Sequence, residues 1–439
     1  MGYPHWERPQ LLQELHNVQT EYENWKKQKL NLNMARGKPG LEQLALSREL
    51  FTILDFDSCV DQGVDARNYG ELTGMPCAKQ YWADLLDVEP EQCFVGGSSS
   101  LTMMYDLVAK AWSNGLLHSP KPWSQLGKVK FLCPCPGYDR HFRITQSFGI
   151  ELIPIAMTDD GPDMEQVEQW ISEPAVKGMW CVPKYSNPDG IIYSQETISR
   201  IARLNAAAPD FMVIWDNAYC VHHFRGSYQP IPDILKLCQE SGNPDMVYEF
   251  ASTSKMTIPG AGMAVMASSA GNISYLSKLM DAQMISYDKV NQLRQVRFLK
   301  DRKTTLSLME RHGMLLRPRF DAFLTELERL RPLEIARLTQ PSGGYFIGLY
   351  TIPGCAKRTV ELCQEAGLVM TQAGAAFPYG NDPFDHHIRI APSYPSLPDV
   401  EIAAKLFCTC LKLAALEKLS TRFNHIPAPF LIKELQRLL

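Results

Sequence analysis

The sequence predicts an α/β layered fold with a mostly parallel sheet, and three observations support this. Short apolar segments recur from about residue 90 to residue 268, and many are rich in β-branched residues, as expected of strands buried on both faces. Helical segments separate them, which is the alternation typical of α/β folds. The chain of 439 residues is also long enough for two domains.

The predicted elements can be placed in chain order. An N-terminal amphipathic helix is expected at 7–28, before glycine and proline in NLNMARGKPG end the helical pattern. One apolar side of this helix is formed by Leu11, Leu12, Leu15, Val18 and Tyr22. The seven predicted strands of the sheet lie at 93–95, 128–133, 150–157, 178–183, 211–215, 247–252 and 262–268.

The C-terminal part of the chain predicts a separate, smaller α/β domain. A long charged helical stretch at about 290–335 is followed by PSGGYFIGLY, a helix near 357–366 and the strand-like HIRIAPS. Because chain termini often meet at the surface, the N-terminal helix is expected to join this domain. The predicted division is a large domain at 51–295 and a small domain formed by 1–50 and 296–439.

Composition and charge narrow the class of protein. Hydrophobic residues make up 45% and charged residues 21%, which is the balance of a soluble globular protein. The formal net charge of -4 gives no electrostatic reason to expect nucleic acid. No apolar stretch reaches the roughly 18 residues of a membrane helix, and the charged N-terminus lacks the apolar core of a signal peptide. We therefore expect a cytoplasmic protein that binds neither nucleic acid nor membrane.

The cysteines and histidines do not predict a metal site. The twelve cysteines are scattered through a large chain and are expected to be reduced thiols. Cys133 and Cys135 lie in FLCPCPGY, where the neighbouring prolines and the lack of a second Cys/His pair at finger spacing disfavour zinc. Adjacent histidines, at 222–223 and 386–387, rarely point the same way.

Polar residues follow several predicted strands, at the sheet edge where open α/β sheets bind ligands. The glycines and serines at 96–100 begin a helix and can hold an anion through N–H groups and hydroxyls, although a serine N-cap is an equally ordinary role. SNPDG at 186–190 is by itself a turn. Asp216 ends an apolar strand, where an unpaired acid is costly, and Tyr219 can face the same pocket.

Lys255 follows the strand at 247–252 within STSK and precedes the glycine-rich IPGAGM. A lysine that loses its hydration has a lowered pKa and becomes a nucleophile for carbonyl groups. Taken alone, Lys255 would be assigned to a surface loop.

Taken together and in this order, these segments resemble fold-type I pyridoxal-phosphate enzymes, and specifically the class I/II aminotransferases. The similarity runs from about Leu32 to Ile390, and its specific parts are SNPDG, the strand ending in Asp216, STSK and IRIAPS. Asn187 precedes Asp216 by 29 residues, and Asp216 precedes Lys255 by 39, as in that family. ARGKPG, RNYGELTG, GGSSSLTMMYD, STSKMTIPGAGM and DKVNQLR are most similar to a divergent bacterial-type branch of the aspartate aminotransferases.

The resemblance implies pyridoxal 5'-phosphate as the cofactor and assigns roles around its ring. Lys255 would hold the cofactor aldehyde as a Schiff base and then carry the substrate proton as a general base and acid. Asp216 would keep the pyridine nitrogen protonated and so preserve the electron sink. Asn187 and Tyr219 would hydrogen-bond the phenolate oxygen. Tyr138 would stack on the ring, although a core tyrosine is a serious rival interpretation.

The resemblance also implies roles at the phosphate and the substrate. Tyr69 would reach the phosphate of the neighbouring subunit in a homodimer with shared active sites. Arg389 would grip the substrate α-carboxylate through two parallel hydrogen bonds, beside Asn187, and Gly37 would lie near the substrate. The cofactor phosphate would be held by Gly97, Ser98, Ser99, Ser252 and Ser254.

One position departs from the family pattern. Eight residues after the lysine, where the family commonly has a phosphate-binding arginine, this chain has Met263. The phosphate charge must then be met by helix N–H groups, hydroxyls or another cation. For the distal carboxylate of aspartate, the candidates by position are Lys289, Arg294 and Arg67, with solvated helix charges as the alternative for the first two.

The resulting prediction is an aminotransferase of amino acid metabolism that moves the amino group of an L-amino acid, preferentially L-aspartate, to 2-oxoglutarate. An aminotransferase for aromatic or 2-aminoadipate-type substrates, or a carbon–sulfur lyase, would use the same fold. A ligand sensor of the same fold belongs to another class, but only about thirty residues precede ARGKPG, too few for the winged-helix module of such regulators.

Overall fold

The structure is a computed structural model that describes residues 2–422. The predicted small domain includes Met1 and 423–439, which lie outside the described residues. Among the residues described, no helix has both the length and the apolar character needed to cross a membrane.

Residues 2–422 contain thirteen α-helices, which we number in chain order. They are α1 Arg8–Lys27, α2 Leu41–Ala45, α3 Pro76–Leu86, α4 Ser100–Ser113, α5 Asp139–Ser147, α6 Met164–Trp170, α7 Gln195–Ala202, α8 Ile234–Glu240, α9 Ala270–Asp281, α10 Lys289–Leu299, α11 Arg302–Glu328, α12 Ala356–Glu365 and α13 Leu397–Arg422.

The same part of the chain contains fifteen strands, several of them only two residues long. They are β1 Leu32–Asn33, β2 Val60–Asp61, β3 Val64–Asp65, β4 Cys93–Val95, β5 Lys130–Cys135, β6 Glu151–Thr158, β7 Gly161–Pro162, β8 Val176–Cys181, β9 Met212–Asp216, β10 Val247–Ser252, β11 Ala264–Ala267, β12 Ala336–Leu338, β13 Ile347–Thr351, β14 Leu368–Val369 and β15 His387–Ile390.

The chain divides into two compact units. The larger unit comprises Leu41–Ser186 and Ile191–Gly313, and the smaller one contains the residues up to Gly40, the short segment Asn187–Gly190 and the residues from Met314 on. The boundaries fall at 40/41 and 313/314, whereas the sequence prediction placed them at 50/51 and 295/296. The second boundary lies inside α11, where no turn signal marks it.

The larger unit is built on an eight-stranded sheet with the order β4-β11-β10-β9-β8-β5-β6-β7. Its central neighbours, from β10 to β6, pair in parallel. β11 runs antiparallel to both β10 and β4, because the segment between β10 and β11 is too short for a parallel crossover. The predicted α/β fold with a mostly parallel sheet is confirmed, and the short edge strand β7 adds one strand to the seven predicted.

Five helices of this unit, α6 to α10, begin at residues whose side chains cap them. A side-chain oxygen of each cap accepts a hydrogen bond from a backbone N–H in the first helical turn, which satisfies a donor that the helix itself leaves unpaired. These caps are Asp163, Ser194, Asp233, Ser269 and Asp288. The strands β4 and β8 to β11 are buried along their whole length.

The smaller unit contains the antiparallel sheet β12-β13-β15 and the parallel pair of β1 with β14. α1 buries Leu11, Val18 and Tyr22 as predicted. Leu12, in contrast, is 46% exposed, because the residue following Leu11 is turned out of the buried stripe.

The predicted helical stretch at 290–335 contains two helices. α10 ends at Leu299, and Lys300 has a φ of 60°, which no helix continues through. Asp301 then accepts a hydrogen bond from the Thr304 N–H at 2.7 Å and starts the next helix. This helix, α11, ends at Glu328, seven residues short of the predicted end.

Candidate active site

Lys255 lies in a single 3₁₀ turn, Thr253–Lys255, directly after the buried strand β10. The residue is half-buried, and its Nζ is 4.8 Å from the centroid of the Tyr219 ring. Burial lowers the pKa of Lys255, and the charge of Asp216 opposes part of that shift. A carboxylate at the end of β9 therefore acts electrostatically on an amine that follows the adjacent strand β10.

Asp216 ends β9 and is 4% exposed. Its Oδ2 is 2.9 Å from Nε2 of His141, and both side chains are buried. Its Oδ1 is also buried but accepts no hydrogen bond from any residue between 2 and 422. A buried carboxylate oxygen without a donor is costly, so this atom fits a ligand that brings an N–H to it.

His141 is a site residue that the sequence analysis missed. It lies in the first turn of α5 and stacks on Trp180, with ring centroids 4.3 Å apart and planes at 7°. The Tyr138 ring meets it edge-on at 4.9 Å. Its position three residues after Tyr138, on the same side of a helix start, was the available signal, but its partner Asp216 is 75 residues away in sequence.

Tyr219 is buried and meets the ring of His222 edge-on at 5.5 Å. Burial, followed by the nearby charge of Lys255, holds the pKa of His222 well below its usual range. Beside Asp216, Asn217 donates from Nδ2 to Oε1 of Glu249 at 2.8 Å. Burial raises the pKa of Glu249 to about 8, although the hydrogen bond from Asn217 favours the ionised form.

The predicted phosphate-binding residues come together where β4 enters α4 and β10 enters the Lys255 turn. Ser254 donates from Oγ to the Ser98 carbonyl oxygen at 2.9 Å, and its Oγ also receives a hydrogen bond from Ser252 Oγ at 3.2 Å. Ser99 is the N-cap of α4, but its side chain does not cap the helix. A Cβ on Gly262 would lie 2.6 Å from the Ser98 carbonyl oxygen, so only glycine fits there. We call Gly97, Ser98, Ser99, Ser252, Ser254 and Gly262 the hydroxyl cradle.

Met263 directly follows Gly262 of this cradle, but its side chain lies in the core. The side chain is 1% exposed and belongs to the apolar core of the unit. The Met263 N–H donates to Thr253 Oγ1, and its carbonyl oxygen accepts from the Thr253 N–H, both at 2.9 Å. The charge that an arginine would bring is therefore absent at this position.

In the smaller unit, Arg389 contacts both of the other predicted substrate-binding residues' surroundings: it bonds to Asn187 and lies at the Phe346 ring that also approaches Gly37. Arg389 on β15 donates from Nη1 to Asn187 Oδ1 and from Nη2 to Thr371 Oγ1, each at 3.3 Å. Its guanidinium lies 4.9 Å from the centroid of Phe346. A Cβ on Gly37 would lie 2.5 Å from Cζ of the same ring. A guanidinium can bind a carboxylate through two parallel hydrogen bonds, which is the role predicted for Arg389.

A second network in this unit, which the sequence analysis also missed, fixes the turn that carries Asn187. Asp189 is 3% exposed and accepts a hydrogen bond from Tyr350. Its Oδ1 also lies 3.0 Å from Nε2 of His387, 198 residues later in the chain. The carboxylate lies directly over Gly348, where any Cβ would collide with it.

The remaining candidates also belong to the larger unit. Tyr69 is 80% exposed, and Arg67 pairs with Asp65 at 2.8 Å. On α10, Arg294 donates to Asn291 Oδ1 at 2.6 Å, and Lys289 is buried.

The residues of the larger unit fit pyridoxal phosphate. Asp216 presents an oxygen without a donor, which suits a protonated ring nitrogen. Lys255 provides an amine of lowered pKa for an aldehyde. The hydroxyl cradle, at the start of α4, provides donors for a phosphate.

Comparisons with known proteins identify the family of this chain. Residues 8–423 match the family described as aspartate amino-transferase. A Mycolicibacterium smegmatis protein, whose name assigns it provisionally to the aminotransferases, is 46% identical over 94% of this chain and 97% of its own. The aspartate aminotransferase of Corynebacterium glutamicum is 41% identical over 91% of this chain and 93% of its own. The crystal structure of an aspartate transaminase from C. glutamicum superposes with a TM-score of 0.94 at 39% identity, covering 95% of this chain and 99% of that one.

The fold and the match together define a fold-type I aminotransferase. The chain belongs to the aspartate aminotransferase family.

Proposed function

We propose that this protein is a pyridoxal-phosphate-dependent aminotransferase that moves the amino group of L-aspartate to 2-oxoglutarate. The observation that carries the proposal is the pair formed by Lys255 and Asp216, an amine of lowered pKa beside a buried carboxylate with one oxygen that lacks a donor. The relative from C. glutamicum that bears the name aspartate aminotransferase supports L-aspartate as the donor.

Asp216 and His141 serve the cofactor ring. The cofactor, when bound, supplies the electron sink that stabilises negative charge on the substrate α-carbon. The Asp216 carboxylate favours a proton on the ring nitrogen, because an opposite charge at hydrogen-bond distance stabilises the protonated form. His141 holds Oδ2 at 2.9 Å and so fixes the direction in which Oδ1 points.

Lys255 moves the proton at the substrate α-carbon. Its amine must be neutral to accept a proton, and burial favours that form by lowering its pKa. Tyr219, under the Lys255 amine at 4.8 Å, hydrogen-bonds the cofactor phenolate oxygen together with Asn187. Tyr138 contributes its ring face to the cofactor.

The polar groups around the reacting atoms bind and orient the cofactor and the substrate. Gly97, Ser98, Ser99, Ser252 and Ser254 hold the phosphate through hydroxyls and backbone N–H groups. Arg389 grips the substrate α-carboxylate, with Asn187 beside it and Gly37 leaving room. Tyr69 extends to the phosphate of a neighbouring subunit, in a homodimer with shared active sites. The location that we propose for this homodimer is the cytoplasm.

The visible absorption spectrum tests this function. With pyridoxal phosphate, the protein should show the band of the lysine-bound cofactor, and L-aspartate alone should remove it. Lys255→Ala should abolish both effects, whereas Lys278→Ala, a matched change at an exposed lysine of α9, should leave them intact.

Two other results would change the assignment. If aspartate leaves the band unchanged while an aromatic amino acid or 2-aminoadipate removes it, the cofactor assignment stands and the donor is wrong. If no band forms with the cofactor in excess, the assignment of Lys255 fails.

A further inference from the structure

The hydroxyl cradle contains no cationic side chain of its own. A phosphate carries about -1.5 to -2 charges at pH 7, and burying such a charge without a cation is costly. Where the family commonly has an arginine, this chain has Met263, so this position provides no cation. If the cofactor is phosphorylated as proposed above, a cation from another element would strengthen the binding of its phosphate.

Lys289 is a buried lysine whose amine has no hydrogen-bond partner within residues 2–422. It is 3% exposed, although the flanking Asp288 and Val290 are both exposed, so its side chain alone turns inward. Its Nζ is buried and donates no hydrogen bond to any residue in 2–422. The charge of Lys289 acts on Asp65, but that carboxylate already holds Arg67 through both oxygens, at 2.8 and 2.9 Å.

The segment that carries Lys289 contacts the hydroxyl cradle on both sides of this residue. Two residues earlier, the Tyr287 ring lies 3.3 Å from where a Cβ of Gly97 would be. Two residues later, Asn291 donates from Nδ2 to the Gly262 carbonyl oxygen at 2.8 Å. Lys289 is also the first residue of α10, where the helix dipole adds positive potential.

We propose that Lys289 supplies the positive charge that meets the cofactor phosphate in place of the missing arginine. Lysine binds phosphate as a point charge and needs no bidentate geometry. The phosphate is the anion that compensates the burial of Nζ. This proposal rests on the proposed function, because it requires a phosphorylated cofactor.

The test compares the affinity of the apoenzyme for pyridoxal phosphate and for pyridoxal, which lacks the phosphate. In Lys289→Met, the dissociation constant for pyridoxal phosphate should rise by about 10- to 100-fold, as expected for the loss of one charge-assisted contact. The constant for pyridoxal should stay unchanged, because Lys255 still meets the aldehyde. Lys278→Met, which removes an exposed lysine of α9, is the matched control and should change neither constant.

Thermal unfolding of the apoenzyme separates a ligand-binding role from a structural one. Replacing a buried ammonium that has no partner by an apolar side chain of similar length removes a desolvation penalty. Apo Lys289→Met should therefore melt at the wild-type temperature or above it. A lysine that held the fold together would give a lower melting temperature when replaced.

Three outcomes overturn the proposal. Equal affinities of wild type and Lys289→Met for pyridoxal phosphate would show that Lys289 does not contact the phosphate. Equal losses for pyridoxal phosphate and pyridoxal would show a general disturbance of the site. A change confined to the KM for L-aspartate would assign Lys289 to the distal carboxylate. Failure of the wild type to bind pyridoxal phosphate would instead overturn the proposed function itself.

Discussion

At the scale of single residues, the site depends on polar groups that the fold holds out of water. Asp216 keeps one oxygen for a ligand because His141 occupies the other. Glu249, one strand away on β10, is buried as well, but its neighbour is the neutral amide of Asn217. Asp216 acts electrostatically on Lys255, whereas burial raises the pKa of Glu249.

Glu249 leads to a prediction about stability and pH. Its pKa is raised from 4.5 to about 8 in the folded chain, so between these values the folded chain binds the proton and the unfolded chain releases it. Raising the pH through this window therefore favours unfolding, and the loss is complete above about 8. Glu249→Gln keeps the acceptor for Asn217 without the charge, and it should stabilise the protein by on the order of 2 kcal/mol at high pH.

Urea unfolding at pH 5 and pH 9 would measure this effect, since the difference between wild type and Glu249→Gln should grow with pH. The matched control is Glu240→Gln, at the exposed end of α8, which should follow the wild type at both values. A constant difference between the two proteins across the window would contradict the assignment of a buried, protonated Glu249.

At the scale of elements, the hydroxyl cradle exists because three chain segments approach within contact of one another. The Ser98 carbonyl oxygen, the Ser254 hydroxyl and the backbone of Gly262 meet with no room for a side chain at Gly262. The close approach follows from sheet order, since β11, which begins just after Gly262, pairs with both β4 and β10.

Gly262→Ala should therefore open the cradle. The new Cβ would lie 2.6 Å from the Ser98 carbonyl oxygen and 2.7 Å from Ser254 Oγ, so the backbone must shift. We expect a stability loss of about 1–3 kcal/mol and an affinity for pyridoxal phosphate that falls by about tenfold. Gly260→Ala is the matched control, because a Cβ there meets nothing within 4 Å. Equal cofactor affinities for the two variants in a spectroscopic titration would contradict this role of Gly262.

At the scale of the whole molecule, the proposal of a shared site in a homodimer makes a quantitative prediction. If Tyr69 serves the neighbouring subunit, each site combines Lys255 of one subunit with Tyr69 of the other. Lys255→Ala and Tyr69→Ala then remove residues that the two subunits contribute separately. Random mixing of the two variants gives hybrid dimers in which one of the two sites has both residues intact. Activity should then recover to about a quarter of the wild type.

The recovery should be measured after subunits have exchanged, for example by mild denaturation and refolding of the mixture. The control is a mixture of Lys255→Ala with Lys255→Ala,Tyr69→Ala, which has no intact site in any pairing. No recovery above the sum of the separate variants would place Tyr69 outside the shared site.

The sequence by itself determined the fold class, the family and the order of the chemical groups along the chain. Seven strands were predicted and all seven exist, because buried parallel strands are apolar throughout and are bounded by turn residues. Lys255 and Asp216 were identified because each follows a predicted strand and because their order and spacing along the chain resemble those of a known family. These are local features, and local features are visible in a sequence.

Only the tertiary structure decided which of these groups have partners. His141 meets Asp216 across 75 residues, and His387 meets Asp189 across 198, distances in sequence that no periodicity spans. The burial of Lys289 without a partner, and of Met263 in the core, likewise depends on which elements pack together. The physical reason is that hydration and pairing of a charge are set by everything around it in space, and neighbours along the chain are only a small part of that.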